Sequence, residues 1–109
     1  MKRPTLAALR HRVTIEQPIR MDDEGGAATL TWQQVATVWA EITGLDGREI
    51  LRAETLVGRA THRIVMRYRT GIDASMRIVS AGKYHEIISA LDEEGRNQWL
   101  VCYCEEFGP

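Results

Sequence analysis

Three histidines, two cysteines, one acidic run and a set of arginines are the residues with side chains reactive enough to carry chemistry in this 109-residue chain. His11, His62 and His85 fall on separate predicted strands with no metal-ligand spacing between them, and each reads as a surface or sheet-edge residue. Cys102 and Cys104 are spaced Cys-x-Cys. On a strand they face the same way about 6.6 Å apart, at the strained limit of disulfide geometry. They read as two small buried thiols, which suits a reducing cytoplasm. Asp22-Asp23-Glu24-Gly25-Gly26 lacks the alternating oxygen ligands and distal glutamate of a calcium loop, so it reads as a solvated hairpin tip. No nucleophile elbow or phosphate-binding glycine loop is present. The sequence therefore offers no catalytic, cofactor-binding or metal-binding set, and the chain is not expected to be an enzyme.

The arginines carry a clearer signal. Residues 61–69 alternate, with His62, Ile64, Met66 and Tyr68 on one side and Thr61, Arg63, Val65, Arg67 and Arg69 on the other. Arg63, Arg67, Arg69 and Arg77 are expected on one face of adjacent strands. There they could pair with acids of a neighbouring subunit, such as Glu93, Glu94 or Glu105, meet DNA phosphates, or simply be solvated. No aromatic platform is expected beside them, which favours subunit pairing over DNA contact. Trp39 is a second interface candidate; the competing reading is that it caps its own core.

These side chains need strands to position them. A period of two with β-branched residues marks strands over residues 12–17 (ended by Pro18), 35–45, 61–69, 76–79, 84–91 and 97–106. The third to fifth read as a meander, with breaks at Thr70-Gly71-Ile72-Asp73 and Ala81-Gly82-Lys83. Both faces of the last strand are apolar, so one packs on the core and the other on something else. Residues 1–9 read as an N-terminal arm with a helical turn near residues 5–9. The expected fold is mainly β: one domain over 1–109, a small antiparallel barrel or sandwich of about six strands, with a short helical insert between strands 2 and 3.

That insert, residues 45–59, places Ile50, Ala53, Leu56 and Val57 at helical spacing and Arg48, Glu49, Arg52 and Glu54 on the other side. An insertion of this length in a small domain is more often functional than idle. A helix plugging one barrel end is the structural alternative.

Fourteen basic against fifteen acidic residues leave a formal net charge of −1, unlike a general nucleic-acid coat or a membrane-surface binder. No run approaches the roughly 20 apolar residues of a membrane span. The apolar run Leu6-Ala7-Ala8-Leu9 is too short for a signal-peptide core. A soluble protein without membrane contact is expected.

Read in order, several motifs carry a family resemblance. They are Leu9-Arg10-His11-Arg12-Val13-Thr14-Ile15, Trp32 with Val35-Ala36-Thr37-Val38-Trp39-Ala40-Glu41-Ile42, and Gly47-Arg48-Glu49. Ala60-Thr61-His62-Arg63-Ile64 and Arg67-Tyr68-Arg69-Thr70-Gly71-Ile72 follow. Met76-Arg77-Ile78, Tyr84, Ile87, Asp92, Arg96, Trp99-Leu100 and Cys104-Glu105-Glu106 complete the series. Together they resemble the head–tail joining (head-completion, or stopper) proteins of tailed bacteriophages, whose relatives occur in gene-transfer particles. The resemblance implies a β-barrel virion subunit, assembled in the host cytoplasm, that forms a neck ring of twelve or six copies. Such a ring lies below the portal and its adaptor ring and above the tail-completion or tail-terminator protein. It closes the channel over packaged double-stranded DNA and receives the tail. The family's closing loop matches residues 45–59, so Gly47, Arg48, Glu49, Arg52 and Glu54 are candidates for plugging the channel or docking a neighbouring ring. Another neck ring, such as a tail-completion protein, and a small nucleic-acid-binding barrel are the alternatives.

Overall fold

Valine, isoleucine and threonine fill the alternating runs, and each run becomes a strand, where branched side chains fit a pleated, half-buried surface. The computed structural model describes residues 6–22, 24–45 and 59–107. The strands are β1 (His11–Asp22), β2 (Ala28–Gly44), β3 (His62–Arg67), β4 (Arg77–Ser80), β5 (Lys83–Leu91) and β6 (Trp99–Phe107). They form one closed antiparallel barrel in the order β1-β2-β3-β6-β5-β4. A 3-10 turn, Leu6–Ala8, precedes β1. The mainly β fold and its six strands are as the sequence predicts. Apart from its end residues Leu45 and Arg59, the predicted helical insert lies outside the described residues, and with it Gly47, Arg48, Glu49, Arg52 and Glu54.

Three sequence expectations need correction. The meander is broken: β3 pairs with β2 and β6, while β4 pairs with β1 and β5. The connection from Arg67 to Arg77 is too long for a tight hairpin and carries the chain across to the far side of the barrel. β1 does not end at Pro18, and β2 begins at Ala28 rather than near Val35. β1 pairs with β4 only at Thr14, Ile15 and Glu16. Beyond that it has an open edge among the described residues, where a proline without an N–H is tolerated. Residues 17–22 and 28–34 consequently form a two-stranded ribbon that projects from the barrel, and the molecule measures 50 × 27 × 27 Å. A register shift at Ile15/Glu16 marks where the ribbon leaves the barrel wall.

The barrel is solid. Val13, Ile15, Ala40, Ile64, Met66, Ile78, Ile87, Leu100, Cys102 and Cys104 fill it, none more than 5% exposed. Burying each large aliphatic side chain stabilises the fold by roughly 1.5–3 kcal/mol. β6 sends Leu100, Cys102 and Cys104 inward, while Val101, opposite Val65 of β3, is also buried but lies outside the core cluster. On that outer face Val101 is flanked by Trp99 and Tyr103, which are half-buried.

The histidine expectation also changes. His85 is 3% exposed, inside the barrel, with Nδ1 3.3 Å from the Ile78 carbonyl and its ring edge-on to His62 at 5.1 Å. Its neighbours across the sheet are Ile78 and Glu106, so its inward register follows from strand alternation.

Candidate functional site

The arginines do not share one face of adjacent strands. Arg77 is on β4, which does not pair with β3, and Arg69 lies past the end of β3. Each meets different surroundings.

Arg77 is locked into its own chain. Its Nε donates to Glu16 Oε1 at 2.6 Å, and its guanidinium lies 4.1 Å from the centre of the Trp32 ring and 4.4 Å from that of Tyr84. Tyr84 stacks on Phe107 with ring centres 5.8 Å apart. An aromatic platform therefore does accompany an arginine, contrary to the sequence reading. Because two rings and a carboxylate engage this guanidinium, it fastens the base of the ribbon to β4 and β5 and has no open face for a nucleic-acid base. The hairpin register sets Pro18 opposite Trp32, so counting back from the Asp22–Gly26 tip is the signal that could have placed Trp32 above Glu16 and Arg77.

Arg63 is mostly enclosed, with Nη1 3.9 Å from Glu41 and Nη2 lacking a hydrogen-bond partner among the described residues. Tyr103, its partner across β6, donates to Glu93 at 3.2 Å. Burial, then the charge of Glu93, pushes the Tyr103 hydroxyl above its ordinary range. Glu105, proposed from sequence as an acid for a neighbour, is held by Arg59 at 2.8 Å, and Arg59 also reaches Glu86 at 3.2 Å.

Arg67 and Arg69 do converge. With Leu9, Val38, Trp39 and Tyr68 they line an open groove of about 530 Å³. It lies where β3 ends and leaves the edge of β2 uncovered, since the last pairing of the two is Ala40 with Met66. Trp39 is 51% exposed, and Arg12 sits 5.1 Å from its ring centre. Trp39 therefore does not cap the core. A second hollow of about 450 Å³ shares Arg67 and Tyr68 and adds Asn97, Gln98 and Trp99. Among the described residues neither lining contains a carboxylate. Sequence reading missed Leu9, Arg12 and Tyr68 here, because only barrel closure brings the arm, β1 and the end of β3 together.

Inside the barrel, burial pushes the Cys102 thiol up to about 12 and raises Cys104 further, so both stay protonated at neutral pH. No group of three or more metal-ligating side chains occurs among the described residues.

The sequence profile of phage head completion proteins matches residues 5–106. This chain belongs to that family. It is 36% identical over 76 residues to the head completion protein gp7 of Enterobacteria phage HK97, spanning 69% of this chain and 68% of that one. Its fold is similar to that of protein SF1141 from Shigella flexneri 2a, with a TM-score of 0.78, 28% identity, and coverage of 94% of this chain and 96% of that one. A chain of a native gene transfer agent virion shares the fold at a TM-score of 0.65 and 23% identity, covering 96% and 98%. Membership in the head completion family gives the chain a structural role in completing the phage head and a place in the virion.

Proposed function

We propose that this head completion protein assembles as a ring in the head–tail neck, closes the portal channel after DNA packaging, and presents the surface to which the tail attaches. The observation that carries the reading is the filled barrel. A six-stranded barrel packed with Ile15, Ile64, Met66, Ile78 and Ile87 has no lumen for DNA, so any channel must run between copies. The role is structural, not catalytic: the portal adaptor ring lies above, and the tail-completion or tail-terminator protein below. Residues 45–59, carrying Gly47, Arg48, Glu49, Arg52 and Glu54, are the segment that plugs the channel or docks a neighbouring ring. Trp39 and Arg67, both exposed, and the half-buried Arg69 are its subunit-contact residues. Arg63 and Arg77 instead support those contacts from within the chain.

Particles assembled with and without the protein test this, with nuclease sensitivity of the packaged DNA as readout. Heads that lack it should lose DNA or leave it digestible, and adding the protein back should restore protection. DNA that stays sealed while tails fail to join would place the protein further down the neck, as a tail-completion ring.

A further inference from the structure

The β1–β2 ribbon and the Trp39 groove are complementary, and they cannot meet within one molecule. At the tip, residues 20–26 carry three carboxylates, Asp22, Asp23 and Glu24, against one guanidinium, Arg20. Leu30, 56% exposed, lies on the same face of the ribbon as Asp22, and Met21, 58% exposed, lies on the other. The groove offers the opposite chemistry: among its described residues it holds Arg67 and Arg69 with no carboxylate, a half-exposed tryptophan, and apolar walls from Leu9 and Val38. Arg69 Nε has no hydrogen-bond partner among the described residues. Residues 28–39 of β2 also lack a strand partner on the side away from β1 among the described residues, so backbone donors and acceptors run from the groove along the ribbon.

From Trp39 back to Ala28 an extended strand covers roughly 35 Å at about 3.3 Å per residue. A tip that far from its own groove reaches only the groove of another copy. Tip and groove are different surfaces, so the contact is head-to-tail, the kind that closes into rings. We infer that the acidic tip of one copy's ribbon docks in the Trp39–Arg67–Arg69 groove of the next. Asp22 and Glu24 face the two arginines, and Leu30 covers the Trp39 ring. This rests on the ring reading and adds to it which surfaces join the copies.

The test uses particles complemented with variants of the full chain. R67E/R69E reverses the groove and D22K/E24K reverses the tip; Asp22, Glu24 and Arg67 are exposed and Arg69 is half-buried, and circular dichroism should show both variants folded. Each alone should reduce incorporation into the neck by about 100-fold or more, as expected for reversed charge pairs at a contact. Supplied together they should restore it, because each variant's tip then matches the other's groove. In otherwise unchanged chains, Gly25→Cys with Gln98→Cys and a short bismaleimide should give a covalent ladder of copies. A ring seen at the neck without that ladder, or full incorporation of either variant alone, overturns the docking while leaving the ring reading intact. Absence of any ring at the neck with the unaltered protein defeats the ring reading itself. If R67E/R69E leaves the copies joined but loses salt-dependent DNA binding, the groove serves phosphate and the inference falls.

Discussion

At the scale of single residues, His85 is the group whose placement has a measurable consequence. Burial holds its pKa below the ordinary 6.5; the neighbouring His62 and Lys83 push the same way, while the Ile78 carbonyl and Glu106 oppose them. The unfolded chain therefore binds a proton at this position at a pH where the folded one does not. Stability is fully present above about pH 6.5 and declines as pH falls below it. His85→Leu should flatten the dependence below about pH 6.5, read as the urea midpoint at each pH. An unchanged slope would mean that other groups cause the acid sensitivity. Threonine 61 shows a different use of a polar side chain. Its Oγ1 accepts from the Glu106 N–H at 2.8 Å, and its own N–H donates to the Cys104 carbonyl at 2.8 Å, tying the entry of β3 to β6.

At the scale of elements, the β4–β5 hairpin turns through Ala81 and Gly82, both in the left-handed region at φ 50° and 80°. Two positive φ angles in a two-residue loop suit Asn-Gly, and alanine is strained there. Ala81→Asn should stabilise the protein by roughly 1 kcal/mol, a rise in Tm on the order of 5 °C by calorimetry. A lower Tm would show that the turn is not held in this geometry. The acidic turn at Asp92 works by a related device. Its carboxylate accepts from the backbone N–H groups of Gly95 and Asn97 at 3.0 and 2.7 Å, which lets Asn97 hold its own positive φ before β6 begins.

At the scale of the whole molecule, charge and packing separate assembly from nucleic-acid binding. The net charge is −1, and of the two described arginines set over aromatic rings Arg77 is engaged by Glu16 on one side and two rings on the others, while Arg12 covers Trp39. The monomer should show no salt-dependent binding to a single-stranded oligonucleotide even at low salt, measured by fluorescence anisotropy. Tight, salt-sensitive binding would favour the nucleic-acid barrel. The projecting ribbon gives the opposite expectation for contact between copies, because a two-stranded ribbon with open edges and exposed Met21 and Leu30 is poorly covered by its own chain.

What the sequence determined by itself was local and periodic. Alternation at residues 61–67 and 99–104 marked strands, though the two apolar faces of the second left its inward side open, and the Asp22–Gly26 cluster marked a hairpin tip, because side-chain direction and turn chemistry are properties of a few consecutive residues. The order of motifs along the chain was enough to reach the family. Only the tertiary structure decided which strands are neighbours. Pairing β3 with β6, and β4 with β1, depends on how the whole sheet closes, and no local pattern encodes it. That closure moved Arg77 away from Arg63 and Arg67, set it between Trp32 and Tyr84, and brought His62 against the inward-facing His85. It also opened the groove of Trp39, Tyr68 and Arg69. Residues far apart in sequence become one surface only when the barrel that joins them has closed.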